Sequence, residues 1–209
     1  MSVKNWFATP IYETIFPNYE KQNSILEKRA YELKDKIGDV KTGWLCNTFN
    51  TMGTDWRTGN AEEDDIVNRF VFDVCQHVFK FSTHFQIDPK NFNVMCNDFW
   101  FNIAAKGDNQ EFHQHPNNHF SAVYYVKTPR DCGNIVFKSY ECIYDTYSLP
   151  IKDVDGSGDT YDPMHLQVGP QRGKLVIFRS SLMHMVERNE NKKDRISIAM
   201  NFNLVPKQN

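Results

Sequence analysis

Three histidines fall within seven positions of the stretch "EFHQHPNNHFSAVYYV", which begins at Glu111. They are His113, His115 and His119, and an apolar segment typical of a β-strand follows them at once. In an extended chain, residues two apart face the same way, so Glu111, His113 and His115 can converge on one point. Imidazole is the commonest metal ligand in proteins. The pattern therefore predicts a metal site, although a solvated polar loop explains a bare HxH motif equally well.

A second group of polar residues lies in the C-terminal quarter, "GKLVIFRSSLMHMVERNENKKDRISIAMNFNLV". His184 follows an apolar strand, and Arg195 and Ser197 alternate with isoleucines on a later one. Alternation places Arg195 and Ser197 on the same face of that strand. An arginine in a buried strand needs an anion, and guanidinium binds a carboxylate through two parallel hydrogen bonds. The pattern predicts a carboxylate-binding site to which Ser197 adds a hydroxyl donor.

The elements that must position these residues can be predicted from periodicity. A strand is expected in "FATPIYETIF", a helix in 19–38 that stops at Gly38, and a second helix in 61–85 with acidic residues in its first turn. From about residue 93, short strands alternate with turns rich in Gly, Pro, Asn and Asp. We therefore expect a mainly β sandwich or barrel preceded by two helices. The predicted organisation is one domain, 1–209, with a helical N-terminal support region in 1–92 and a β core in 93–209.

Composition excludes several classes of protein. The chain has 209 residues, of which 40% are apolar, and 24 basic and 26 acidic residues are mixed along it. This argues for a packed globular body and gives no strong nucleic-acid signal. The sequence has no apolar run long enough for a membrane span and no secretion signal. Its five scattered cysteines fit reduced thiols. A cytoplasmic protein with a small polar or peptide partner is expected, and the oligomeric state is left open.

Together these motifs resemble those of the iron(II)- and 2-oxoglutarate-dependent oxygenases. His184 is followed by ten residues and then by Arg195-Ile196-Ser197, which is similar to the histidine and RxS pattern of that superfamily. "NWFATPIY", "HQHPNNHFSAVYYV" and "GKLVIFRSSLMHMV" look more narrowly like a group of oxygenases from marine bacteria and their phages. Ala122 stands where that group commonly has glycine, and a phage origin would place the protein in the host cytoplasm.

The resemblance implies a double-stranded β-helix, which is a jelly roll of the cupin-like kind. It implies iron ligation by His113 and His184, with His115 in the position that is usually acidic. It also implies that Arg195 and Ser197 bind the carboxylate of 2-oxoglutarate and that Asn102 adds a hydrogen bond. Fe(II) and 2-oxoglutarate are thus the expected cofactors, and molecular oxygen is a partner. The expected reaction hydroxylates an unidentified small molecule or peptide, including a protein side chain, with release of succinate and CO2.

Several alternatives stay open at the level of sequence. Glu111 can replace His115 as ligand, or the metal can differ from iron; we favour His115 because Glu111 is expected in a turn before the strand. The chain can also be a non-catalytic binding module on the same fold, or a cupin-like metal enzyme that does not use 2-oxoglutarate. His119 is expected to make a turn or strand-edge hydrogen bond. Substrate specificity is expected from the polar loop between Tyr140 and Pro163 and from the helical N-terminal part.

Overall fold

The computed structural model describes residues 9–38, 46–55, 57, 60–140 and 165–207. Within these ranges the chain forms two helices and ten strands. In chain order they are β1 (Tyr12–Ile15), α1 (Tyr19–Ile37), β2 (Phe49–Asn50), α2 (Ala61–Thr83), β3 (Phe92–Ala104), β4 (Gln110–His113), β5 (Phe120–Lys127), β6 (Ile135–Lys138), β7 (His165–Val168), β8 (Lys174–Arg179), β9 (His184–Val186) and β10 (Arg195–Pro206).

Local chemistry explains where α1 ends and where α2 begins. The α1 helix ends at Gly38, which has a positive φ of 70° and donates its N–H to the carbonyl of Lys34. The α2 helix begins at Asn60, whose side chain accepts the N–H groups of Glu62 and Glu63. The apolar faces of both helices pack on the outer face of the larger sheet in one core cluster. The two predicted helices are confirmed.

The strands form two antiparallel sheets. The larger sheet has the order β1-β8-β5-β10-β3-β2 and the smaller one the order β4-β9-β6-β7. A second core cluster joins the inner faces of the two sheets, for example Tyr125 and Phe178 of the larger to Ile135 and Phe137 of the smaller. The predicted mainly β class with N-terminal helices is confirmed. The division at residue 92 stays a prediction; β1 and β2, which precede it, pair with β8 and β3.

Two expectations about β4 were wrong. Glu111 lies inside β4, not in a turn before it, and His115 lies beyond the end of that strand. The strand has only one apolar residue, Phe112, so its extended state depends on pairing with β9, in which His113 lies opposite His184. In the loop between Tyr140 and Pro163, residues from 141 onward lie outside the described ones. In the described part of the chain, no helix is both long and apolar enough to cross a membrane.

Candidate metal and co-substrate centre

His113, His115 and His184 form one compact cluster. One ring nitrogen from each lies within 4.8 Å of those of the others. The ring centroids are 4.2 Å apart for His113 and His184, 5.1 Å for His113 and His115, and 5.2 Å for His115 and His184. Among the described residues, this is the only such group of three or more His, Cys, Asp or Glu side chains. Strand pairing brings the first and last histidine together, and the chain after β4 supplies His115.

Hydrogen bonds fix which nitrogen of two of these rings is available to a metal. Nδ1 of His113 lies 2.7 Å from the carbonyl oxygen of Glu111, and Nδ1 of His184 lies 2.8 Å from that of Leu182. A carbonyl only accepts, so each Nδ1 carries the proton and each Nε2 keeps its lone pair. The Glu111 carboxylate accepts from the side chain of Gln110 at 3.2 Å and is not part of the cluster. This donor set fits a metal such as iron.

Burial keeps the three imidazoles neutral. It lowers the pKa of His113, although the carbonyl and charge of Glu111 act in the opposite direction. It lowers the pKa of His115 to about 4, helped by His113 and opposed by Asp98. The pKa of His184 falls well below its usual value for the same reason. Neutral imidazole is the form that binds a metal, so the cluster is ready for ligation at neutral pH.

Hydrogen bonds to Ser180, just after β8, and to Asn203 of β10 hold the loop that carries His115. The backbone N–H of His115 donates to the carbonyl of Ser180, just after β8, at 3.0 Å. His119, at the end of the loop, lies 2.7 Å from Asn203 Oδ1 through its Nδ1 and donates its backbone N–H to the same oxygen. The strand-edge hydrogen bond predicted for His119 is therefore confirmed. This support explains how a residue outside a strand keeps a defined position.

Arg195 is a buried cation with unused donors. Its side chain is only 4% exposed, and Nη1 donates to the carbonyls of Cys132, Gly133 and Glu187. Nε and Nη2 make no hydrogen bond to the described residues, and no carboxylate there forms a salt bridge with them. Burial lowers the pKa of Arg195, but a guanidinium stays charged at neutral pH. An anion in the adjacent space would compensate this charge.

A polar row crosses the inner face of the larger sheet beside Arg195. Ser197 lies opposite Asn102 on one side and opposite Tyr125 on the other. Tyr125 is 1% exposed, and its hydroxyl has no hydrogen-bond partner in the described part of the chain. Such a group suits a buried carboxylate as an additional donor. Sequence reasoning missed Tyr125 because the "YY" pair does not reveal which ring faces inward.

All six site residues predicted from the sequence line one cavity that is continuous with solvent. Its lining includes the three histidines with Asn102, Arg195 and Ser197, and a further wall of Thr48, Asn50, Met52, Trp100 and Gln110. Tyr125 lies next to this cavity, in register with Ser197. The cavity thus combines a metal-binding cluster with a cationic end, an arrangement that suits a metal-chelating dianion.

A family model described as "Putative 2OG-Fe(II) oxygenase" matches residues 98–201, about half of the chain. The chain belongs to this family. Fe(II) and 2-oxoglutarate are the cofactors of these oxygenases, and the chain is accordingly a hydroxylase-type oxidoreductase. The matched segment contains every site residue predicted from the sequence. No curated protein matches this oxygenase significantly.

Solved structures show the fold of the oxygenase. A Pseudomonas putida prolyl-4-hydroxylase matches with a TM-score of 0.60 and 15% identity, over 93% of this chain and 92% of the other. A viral collagen prolyl hydroxylase of Paramecium Bursaria Chlorella virus-1, in a 2OG complex, matches with a TM-score of 0.53 and 11% identity, over 92% of this chain and 94% of the other. A Trichoplax adhaerens prolyl hydroxylase, in complex with a hypoxia inducible factor peptide fragment, matches with a TM-score of 0.56 and 12% identity, over 91% of this chain and 82% of the other. The expected double-stranded β-helix is confirmed.

Proposed function

We propose that His113, His115 and His184 bind the iron of this oxygenase and that the substrate is a side chain of a peptide or protein. The observation that carries the assignment of the site is the convergence of the three neutral imidazoles and the buried Arg195 on one cavity. When bound, Fe(II) would supply the chemistry by which a C–H group, O2 and 2-oxoglutarate are converted to a hydroxyl group, succinate and CO2.

The chain's own residues bind the metal and 2-oxoglutarate, orient them and exclude water from the site. The Nε2 atoms of His113 and His184 are directed to metal ligation by the carbonyls that hold their Nδ1 protons. Arg195 offers Nε and Nη2 to the distal carboxylate of 2-oxoglutarate, and the hydroxyls of Ser197 and Tyr125 add neutral donors. Asn102, in the same row, is our candidate for a further hydrogen bond to the co-substrate. The apolar rings of Phe178 and Trp100 limit access of water.

A peptide substrate is supported by some of the proteins that share the fold. The three solved relatives described above are prolyl hydroxylases, and one is in complex with a peptide fragment. Their identity to this chain is 11–15%, so the substrate class is carried by analogy of fold alone. We propose in addition that the protein acts in the cytoplasm and that it is of the phage-associated kind.

Two other functions are separated from this one by Arg195. A non-catalytic module on the same fold has no use for a buried arginine with unused donors beside a histidine cluster. A cupin-like metal enzyme that does not use 2-oxoglutarate leaves the same guanidinium without an anion. Both alternatives predict that the unsubstituted protein consumes no 2-oxoglutarate, so loss of Arg195 would change nothing.

The test is cofactor-dependent release of succinate. Purified protein is incubated in a complete mixture of 2-oxoglutarate, Fe(II) and O2 and in mixtures from which Fe(II) or O2 is omitted in turn. A His184→Ala variant is treated in the same way. We expect succinate only in the complete mixture and only from the unsubstituted protein. Peptides with proline, lysine or asparagine at a central position are then compared for a mass gain of one oxygen atom. Succinate formation without Fe(II) dependence would contradict the proposal.

A further inference from the structure

Part of one wall of the cavity comes from outside the segment that matches the family. Thr48, Asn50 and Met52 line the cavity, whereas the family match begins at residue 98. Pairing with β3 fixes this wall: Asn50 lies opposite Asn102, and Thr51 exchanges hydrogen bonds with the backbone of Phe101 at 3.0 and 3.1 Å. The wall is therefore held in place by strand pairing and lies outside the segment that the family model matches.

The wall has a definite chemical character. The hydroxyl of Thr48 donates to the carbonyl of Asn109 at 2.9 Å and is thereby occupied. Asn50 Oδ1 accepts the backbone N–H of Met52, and its Nδ2 has no hydrogen-bond partner among the described residues. Met52 is 46% exposed, and Trp100, which lines the same cavity, has its ring centroid 5.7 Å from that of His115. Of Thr48, Asn50 and Met52, only Asn50 thus offers a side-chain amide donor to the cavity.

Charge is nearly absent from the lining. Arg195 is the one formally charged side chain that lines the cavity among the described residues. Asp98 and Glu111 act electrostatically on His115 and His113, but neither lines the cavity, and Asp98 accepts a hydrogen bond from Asn201 at 2.9 Å. Three histidine ligands also bring no negative charge to the metal. An ammonium or guanidinium group that enters would lose hydration without gaining a partner.

We propose that Asn50, Met52 and Trp100 form the subsite for the oxidised group of the substrate, and that this subsite takes an uncharged, largely apolar side chain and rejects cationic ones. This inference rests on the proposed oxygenase site, because the subsite has meaning only beside bound iron and 2-oxoglutarate. It narrows the substrate to neutral side chains presented by a peptide, with the Asn50 amide as donor to a carbonyl oxygen. Lysyl and arginyl side chains are excluded.

The test uses two matched probes, Nα-acetyl-norleucine methylamide and Nα-acetyl-lysine methylamide, which differ mainly in the terminal charge. Each is titrated anaerobically into the protein loaded with Fe(II) and 2-oxoglutarate, and binding is read as a shift of the charge-transfer absorption without any turnover. We expect the norleucine probe to bind about tenfold more tightly than the lysine probe.

Two variants of the exposed Met52 test whether charge at this wall sets the preference. Met52→Glu adds a negative charge near the opening and should reduce or reverse the preference for norleucine, whereas the neutral Met52→Gln of the same length should retain it. Equal affinity of the unsubstituted protein for both probes, binding of neither, or the same ratio in Met52→Glu would overturn the inference. The absorption band recorded before probe is added separates these outcomes from failure of the proposed function, in which no band forms.

Discussion

At the scale of single residues, the three imidazoles differ in how they are held. Nδ1 of His113 and of His184 is tied to a carbonyl two residues earlier, whereas His115 depends on its backbone and on the ring of Trp100. The first two rings are therefore oriented before any metal arrives. Orienting partners of this kind commonly change metal affinity by about 10- to 100-fold.

His113→Ala and His184→Ala should each abolish binding of Fe(II), because two remaining neutral ligands cannot compete with water. His84→Ala is the matched control, since His84 is exposed at the end of α2 and remote in sequence from the site. Anaerobic isothermal titration with Fe(II) measures the effect. Unchanged affinity in both site variants would show that the metal lies elsewhere.

His115, and not Glu111, should be the third ligand. The Glu111 carboxylate accepts a hydrogen bond from Gln110 and lies outside the cluster. This holds although Glu111 lies in β4 and not, as expected from the sequence, in a turn before it. Glu111→Gln should therefore keep Fe(II) affinity, and His115→Ala should lose it. The same titration decides the matter, and loss of metal in the Glu111 variant alone would restore a carboxylate to the ligand set.

Arg195 should control the apparent affinity for 2-oxoglutarate. Arg195→Lys replaces a planar fork by a single point donor, so one charge-assisted hydrogen bond is lost. Such bonds contribute roughly 1.5–3 kcal/mol, equivalent to about 10- to 150-fold weaker binding. Arg195→Ala should be worse, and both variants should still bind Fe(II). Succinate release is measured against 2-oxoglutarate concentration, with iron content determined in parallel; an unchanged dependence in Arg195→Ala would show that Arg195 does not bind the carboxylate of 2-oxoglutarate.

At the scale of elements, the sequence predicted what local patterns determine. Strands β5, β8 and β10 contain long apolar runs, and both helices show the expected periodicity, so they were predicted correctly. Strands β4 and β9 have four and three residues and exist through pairing with each other. That pairing is a long-range contact which no local window contains. The inward direction of Tyr125 was missed for the same reason, since it depends on register with Ser197.

The turn that supports Arg195 depends on a glycine. Gly133 has a φ of +86°, and an added Cβ would lie 2.7 Å from the carbonyl carbon of Glu187. Gly133→Ala should therefore lower the free energy of unfolding by more than about 1 kcal/mol and disturb the carbonyls that hold Arg195. Gly107→Ala is the matched control, with a φ of +94° and nothing within 4 Å of its Cβ position. Denaturant unfolding compares the two, and equal losses would show that backbone strain alone is at work.

At the scale of the whole molecule, the part of the chain before the family match supports the site from two sides. The α1 helix is fastened to β5 through Asn23, which donates to the carbonyl of Val126 at 3.0 Å and accepts the hydroxyl proton of Tyr124 at 2.7 Å. The β2 strand contributes Asn50 to one wall of the cavity. The N-terminal region therefore stabilises the larger sheet, and in our proposal it also contributes to recognition of the substrate. Its role in the cavity was expected from the sequence only as a general contribution to specificity.

The central claim is that Fe(II) and 2-oxoglutarate bind together in the cavity formed by the three histidines and Arg195. The most direct measurement is an anaerobic titration of the apoprotein, followed by absorption spectroscopy. We expect a metal-to-ligand charge-transfer band that requires both Fe(II) and 2-oxoglutarate, is absent in His184→Ala, and needs far more 2-oxoglutarate in Arg195→Ala. A protein that binds Fe(II) and shows no band at saturating 2-oxoglutarate would contradict the account.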